Sequence, residues 1–186
     1  MDLSLLGFRG LREVYNVHPA FVHFPVALLP SALLLYVLGV LLKRPALNAA
    51  GRACLYLATA GAAAAVTTGL LAEDSFPHNE TIHHMMETHE SLAITVLAMA
   101  CALSVWSFLQ QDHRPRAAWA FLAFLGLANL VVLQAADLGG RMVFVEGAAV
   151  KPAVSAIVGD EPKGPKAASA EQPEQEQRAG HHHHHH

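Results

Sequence analysis

Four stretches of the chain are each long and apolar enough to cross a bilayer, a passage that takes about 20 residues. They run over roughly 21–42, 51–72, 92–109 and 117–136, the third with a polar first turn. No other feature restricts the fold as much. In lipid a single segment satisfies its own backbone only as a helix. The expected fold is therefore all-α: a polytopic membrane protein built as a four-transmembrane-helix bundle. Composition agrees, with 53% hydrophobic and only 15% charged residues among 186. The second span carries GAAAAVTTG, residues 61–69. Side chains that small let helices approach closely, which marks this face as a helix–helix contact.

The short connections set the orientation. Lys43, Arg44 and Arg52 follow the first span, and Arg114 and Arg116 follow the third. The connection between the second and third spans has neither Lys nor Arg but holds Glu73, Asp74, Glu80 and Glu87. Excess positive charge stays in the cytoplasm. Both termini and the acidic connection then face outward, although Arg9, Arg12 and Arg141 on that side run against the bias. Within residues 1–16, LSLLGFRGLREVY reads as an amphipathic segment lying in the membrane interface. The membrane domain covers 17–150. Residues 151–180, rich in Glu, Gln, Pro and Lys, read as a disordered tail, and the terminal HHHHHH of 181–186 as an expression tag. A net charge of -3 without a basic patch argues against a nucleic-acid partner. Cys54 and Cys101 fall within apolar runs and read as buried thiols.

Thirteen histidines less the six of the tag leaves His18, His23, His78, His83, His84, His89 and His113. On this topology all but His113 share the outer side. Ionisable groups at membrane depth are costly and mark function. His18 and His23 open the first span within HPAFVHFP, where Pro25 and Pro30 each remove a helical hydrogen bond. That either opens room for a cofactor or is an ordinary membrane proline kink. Between the second and third spans lies HHMMETHE, residues 83–90. At about 100° per residue, a helix starting near Glu80 puts Glu80, His83, His84 and Glu87 on one face and His89 on the opposite one.

Two cofactor chemistries fit these residues. One is haem b, its iron held by a histidine from each of two helices. His23 with His89 is the preferred pair by depth, and His18 with His84 a second. The other is a non-haem copper, iron or zinc site on His83, Glu80, Glu87 and Met85, with Met86 beside it. Imidazole suits all three metals, and methionine suits Cu(I). For the methionines, packing is the simpler role. Glu80-x-x-His83 also matches an element of di-metal carboxylate bundles, a short pattern that arises easily by chance.

The stretch HPAFVHFPVALL resembles the HPxxVHFPxAL opening of a widespread bacterial family of predicted four-helix membrane proteins of unknown function. The resemblance extends to Thr68-Gly69 ending the second span and to His84 or His89 opening the third. After the fourth span, DLGGRMVFVEGAAV resembles a family stretch of the form HLGGxLVYxHGVGV, with Asp137 and Glu146 standing where histidines often do. That departure removes two candidate ligands. Relatives are fused to, or encoded near, cytochrome c domains, so the resemblance implies respiratory electron transfer in a bacterial inner membrane, with the histidines facing the periplasm. The partners implied are quinol or a periplasmic cytochrome c.

Three roles follow: an electron-transfer protein with outward-facing haem, a non-haem metal protein, or a cofactor-free accessory subunit of a respiratory complex. A homo-oligomer or a larger membrane complex suits any of them. Whether a substrate is turned over stays open. No nucleophile motif such as G-x-S-x-G is present.

Overall fold

The computed structural model describes residues 17–72, 80–110, 115 and 117–148. Residues 1–16, read from the sequence as an interfacial segment, lie outside the described residues, as do His78, His113, Arg114, Arg116, the tail and the tag. Four helices follow in order: α1 His18–Leu41, α2 Pro45–Leu70, α3 Glu80–Phe108 and α4 Ala118–Phe144. All four are long and apolar enough to span a membrane. α1 and α2 each open on a proline in the first turn. There its missing N–H is no loss and its fixed φ already suits the helix. α1 then runs unbroken through Pro25 and Pro30. A left-handed Lys43, φ 53°, closes the short turn into α2.

All four helices extend past their apolar runs, α1 by starting at His18. α2 starts at Pro45, α3 starts at Glu80, and α4 continues through DLGGRMVF to Phe144. Hydropathy sees only the lipid-facing length, whereas hydrogen bonding continues wherever packing supports it. At the far ends of α3 and α4, Ile82, Met142 and Ala148 form a small buried cluster, with Met85 and Met86 packed against it. Gly139 and Gly140 do not end α4, as glycine is tolerated in membrane helices whose neighbours support them.

Named contacts establish the topology. His18, at the start of α1, bonds to Ala65 near the end of α2, and His89 near the start of α3 bonds to Ala135 near the end of α4. Neighbouring helices are thus antiparallel, and the start of α1 and end of α4 share one end of the bundle, the histidine end. At the opposite end the Tyr36 and Ser107 hydroxyls bond to each other at 2.9 Å, joining α1 to α3. Arg52 of α2 donates to the Ser107 hydroxyl and to the Gln110 carbonyl.

The core runs the length of the bundle. Leu29, Ala32, Tyr36, Leu55, Leu103, Phe121 and Leu125 are fully buried. Tyr36 and Trp106 both pack edge-on against Phe121, with ring centres 5.0 and 5.6 Å away. This aromatic cluster closes the bundle at the arginine end. Leu34, Leu57, Val105 and Leu130 point outward, as expected of helices that are apolar all round. The small-residue face of α2 is a helix contact: Gly61, Ala62 and Ala65 are buried, and Gly61 lies against Phe24 and Pro25 of α1. Both cysteines are free thiols, and Cys101 is exposed on the bundle surface rather than buried.

The two halves repeat one register. Pro25, Leu29, Ala32 and Tyr36 are buried in α1, and the buried Val96, Ala100, Leu103 and Ser107 of α3 follow the same spacing. In α2, Leu55, Ala58, Ala62 and Ala65 are buried, matched in α4 by Leu125, Ala128, Val132 and Ala135. The helix pair α1–α2 and the helix pair α3–α4 thus present equivalent faces to one core.

Candidate functional site

At the histidine end the repeat brings two imidazoles together. His18 opens α1 and His89 lies well inside α3, and their ring centres stand 6.1 Å apart with planes at 89°. Both are partly buried. Each ring is held by the partner helix of its own half. His18 Nδ1–H donates to the Ala65 carbonyl at 2.8 Å, and His89 Nδ1–H donates to the Ala135 carbonyl at 2.9 Å. A carbonyl oxygen only accepts, so Nδ1 must carry the proton in both rings. Nε2 is then left with its lone pair. Among the described residues neither Nε2 has a hydrogen-bond partner. This is the arrangement used by metal-binding histidines, whose second nitrogen is fixed by a carbonyl.

A cavity of about 420 Å³ surrounds the pair, lined from all four helices. That lies within the range of about 300–1,000 Å³ common for small-molecule and cofactor sites. Val22, Ala65, Val66 and Ala93 make its walls largely apolar. Glu90 is the one carboxylate among the described residues that line it, and His23 and Met86 also reach it. A smaller space of about 50 Å³ shares both histidines and extends to Val26, Val96 and Val132.

The sequence drew His23 with His89 and His18 with His84; the rings that meet take one member from each pair. The reason is an axial offset between helices. α3 begins nine residues before His89, whereas His18 is the first residue of α1. α3 therefore overhangs α1 at this end, and His89 falls level with His18. His23, one turn further along, is exposed and lines the cavity without a hydrogen bond, ion pair or ring contact among the described residues. His84 turns outward, its Nδ1 3.3 Å from Glu87 Oε2. His83 Nε2 lies 3.6 Å from the other Glu87 oxygen. His83, His84 and Glu87 thus form one outward face, as the helical wheel implies, and Glu80 stands exposed in the first turn. Met85 packs into the cluster around Ile82 and Met142. Among the described residues no three His, Cys, Asp or Glu side chains converge as a metal-binding group. Asp137 and Glu146 are exposed and do not line the cavity.

Sequence reasoning missed two participants, Gly69 and Gly139. Each lies one turn past the carbonyl that holds a ring. A Cβ at Gly69 would stand 3.2 Å from the His18 ring, and one at Gly139 would stand 3.1 Å from the His89 ring. Thr68-Gly69 and the glycines of DLGG were visible in the family pattern, but only the fold shows that each glycine faces an imidazole.

Fold and site together define a class: a four-helix membrane protein with a paired-histidine cavity at one end of the bundle. The chain belongs to the family described as "Predicted membrane protein (DUF2231)", whose model matches residues 15–152. No curated protein and no solved structure matches it.

Proposed function

We propose that this chain is an integral membrane electron-transfer protein that binds b-type haem between α1 and α3, with His18 and His89 as the two iron ligands. The observation that carries this reading is the crossed pair of imidazoles, each fixed at Nδ1 by a backbone carbonyl. Metal–nitrogen bonds of about 2.0–2.1 Å, with roughly 1.1 Å from nitrogen to ring centre, would let His18 and His89 both hold one metal at a ring-centre separation of about 6 Å. The observed separation is 6.1 Å. The apolar cavity suits a macrocycle that must be buried away from water.

Haem iron held this way supplies a one-electron couple. The protein's part is to bind and orient. The Ala65 and Ala135 carbonyls fix the tautomer and raise the basicity of each ring. Val22, Val66 and Ala93 exclude water, and the Tyr36–Phe121–Trp106 cluster closes the opposite half of the core. A haem held by His18 and His89 would therefore exchange electrons at the histidine end. In this reading that end faces the periplasm of a bacterial inner membrane, and quinol or a periplasmic cytochrome c is the partner.

The test uses tag-free protein made with haem available, because the tag itself binds haem and metals. His18→Ala and His89→Ala are each expected to abolish the low-spin haem spectrum, whereas His23→Ala and His84→Ala retain it. A spectrum that survives loss of His18 or His89 contradicts the ligand pair.

A further inference from the structure

We infer that Gly69 and Gly139 are the positioning residues of the imidazole pair, and that together they close the centre to exogenous ligands by presenting both rings equally. This rests on the haem reading for its second half, though not for its first. The same unit occurs twice. In each half a histidine of one helix bonds to a carbonyl on the next, 47 residues on for His18 and 46 for His89. In each, a glycine follows that carbonyl by four residues, on the same helix face.

The spacing has a physical reason. In a helix the side chain four residues on stands over a carbonyl oxygen and shields it. Glycine removes that shield, so an imidazole can reach an oxygen already engaged in the helix. An alanine Cβ at either glycine would come within 3.1–3.2 Å of a ring atom. The ring would have to move by a few tenths of an ångström while tethered at Nδ1, which lengthens or breaks the carbonyl bond. The tautomer would then no longer be fixed, and the ring would lose its tether.

Close packing at glycine recurs in the bundle, where Gly39 meets Asn48, Gly51 meets Tyr36 and Gly61 meets Phe24; Gly69 and Gly139 differ in facing an imidazole. Gly140, adjacent to Gly139, has only the Phe144 ring at 4.0 Å from its would-be Cβ, and Gly126 has nothing within 4 Å. The two halves differ at one position: the Thr68 hydroxyl donates to the Ala65 carbonyl at 3.1 Å and lies 3.5 Å from His18 Nδ1, while Leu138 holds the matching place in α4. Held by both imidazoles, a haem iron would lack an open position for O2 or CO, which would suit electron relay.

The experiment has two readouts on the full membrane protein with its tag removed. In cofactor-free protein, nitrogen NMR of the ring atoms is expected to show Nδ1–H and bare Nε2 for both histidines. Gly69→Ala should disturb the His18 pattern alone and Gly139→Ala the His89 pattern alone, with Gly140→Ala and Gly126→Ala unchanged. In haem-loaded, reduced protein, wild type should show no CO-shifted band, and either of the first two variants should gain one together with loss of low-spin character. Ring signals and CO response unchanged in both variants would overturn the inference. Wild type that binds CO would overturn the closed centre. Wild type that takes up no haem would overturn the haem reading and the closed centre with it, while the NMR result still decides the glycines.

Discussion

Histidine alone does not identify a ligand; the atoms around its ring do. His83 and His84 lie in the most conspicuous stretch of the sequence, yet they share Glu87 on an exposed face. Exposed pairs of this kind contribute about 0–1 kcal/mol. Replacing His83, His84 and Glu87 together with alanine is expected to shift the unfolding midpoint little and to leave haem content unchanged; a loss of more than half the haem would assign that face a binding role. At His18 and His89 the expected effect is the reverse. Removing a ring empties one side of the centre, and haem titration should show at least a tenfold weaker Kd, equivalent to about 1.4 kcal/mol. The sequence made this distinction only in part. The wheel separated His89 from His83 and His84, but which ring His89 meets depends on a residue in another helix.

At the scale of elements, the four helices and their order were legible from apolar length, since lipid leaves the backbone few alternatives. Their ends were not. The polar first turns of α3 and the glycine-bearing last turns of α4 lie beyond the apolar runs, and they are helical because Ile82, Met85, Met86 and Met142 pack there. The axial offset of α3 against α1 is a packing result, so the sequence could not say that His18 rather than His23 stands level with His89. One consequence is testable by register. A single alanine inserted after Ile94 rotates the start of α3 by about 100° relative to its remainder. This is expected to abolish haem binding while the protein still inserts in the membrane, as read by haem absorbance alongside protease protection; unchanged haem binding would contradict the α1–α3 geometry. At the other end, Tyr36→Phe removes the hydroxyl bond to Ser107. The expected cost is about 0.6 kcal/mol, typical of interhelical bonds in membranes, read as a small fall in melting temperature with the haem spectrum intact.

For the whole molecule, the repeat of buried positions explains why one site has two matching halves. Two equivalent helix pairs face one core, and their equivalent histidines meet where the pairs come together. The family pattern was legible in HPAFVHFPVALL, and the family model spans the whole membrane domain. The glycines were not legible as functional, because nothing in the chain says that DLGG lies inside α4 beside a histidine of α3. The molecule is also polarised: the cavity and paired rings occupy one end, and an aromatic cluster capped by Arg52 fills the other. Haem at one end alone predicts electron exchange on that side of the membrane only. The most direct measurement is the absorption spectrum of purified, tag-free protein, oxidised and then reduced. The account predicts about one haem per chain, with a sharp Soret band that shifts on reduction and the split visible bands of six-coordinate low-spin iron; protein made with haem available that shows no Soret band would contradict it.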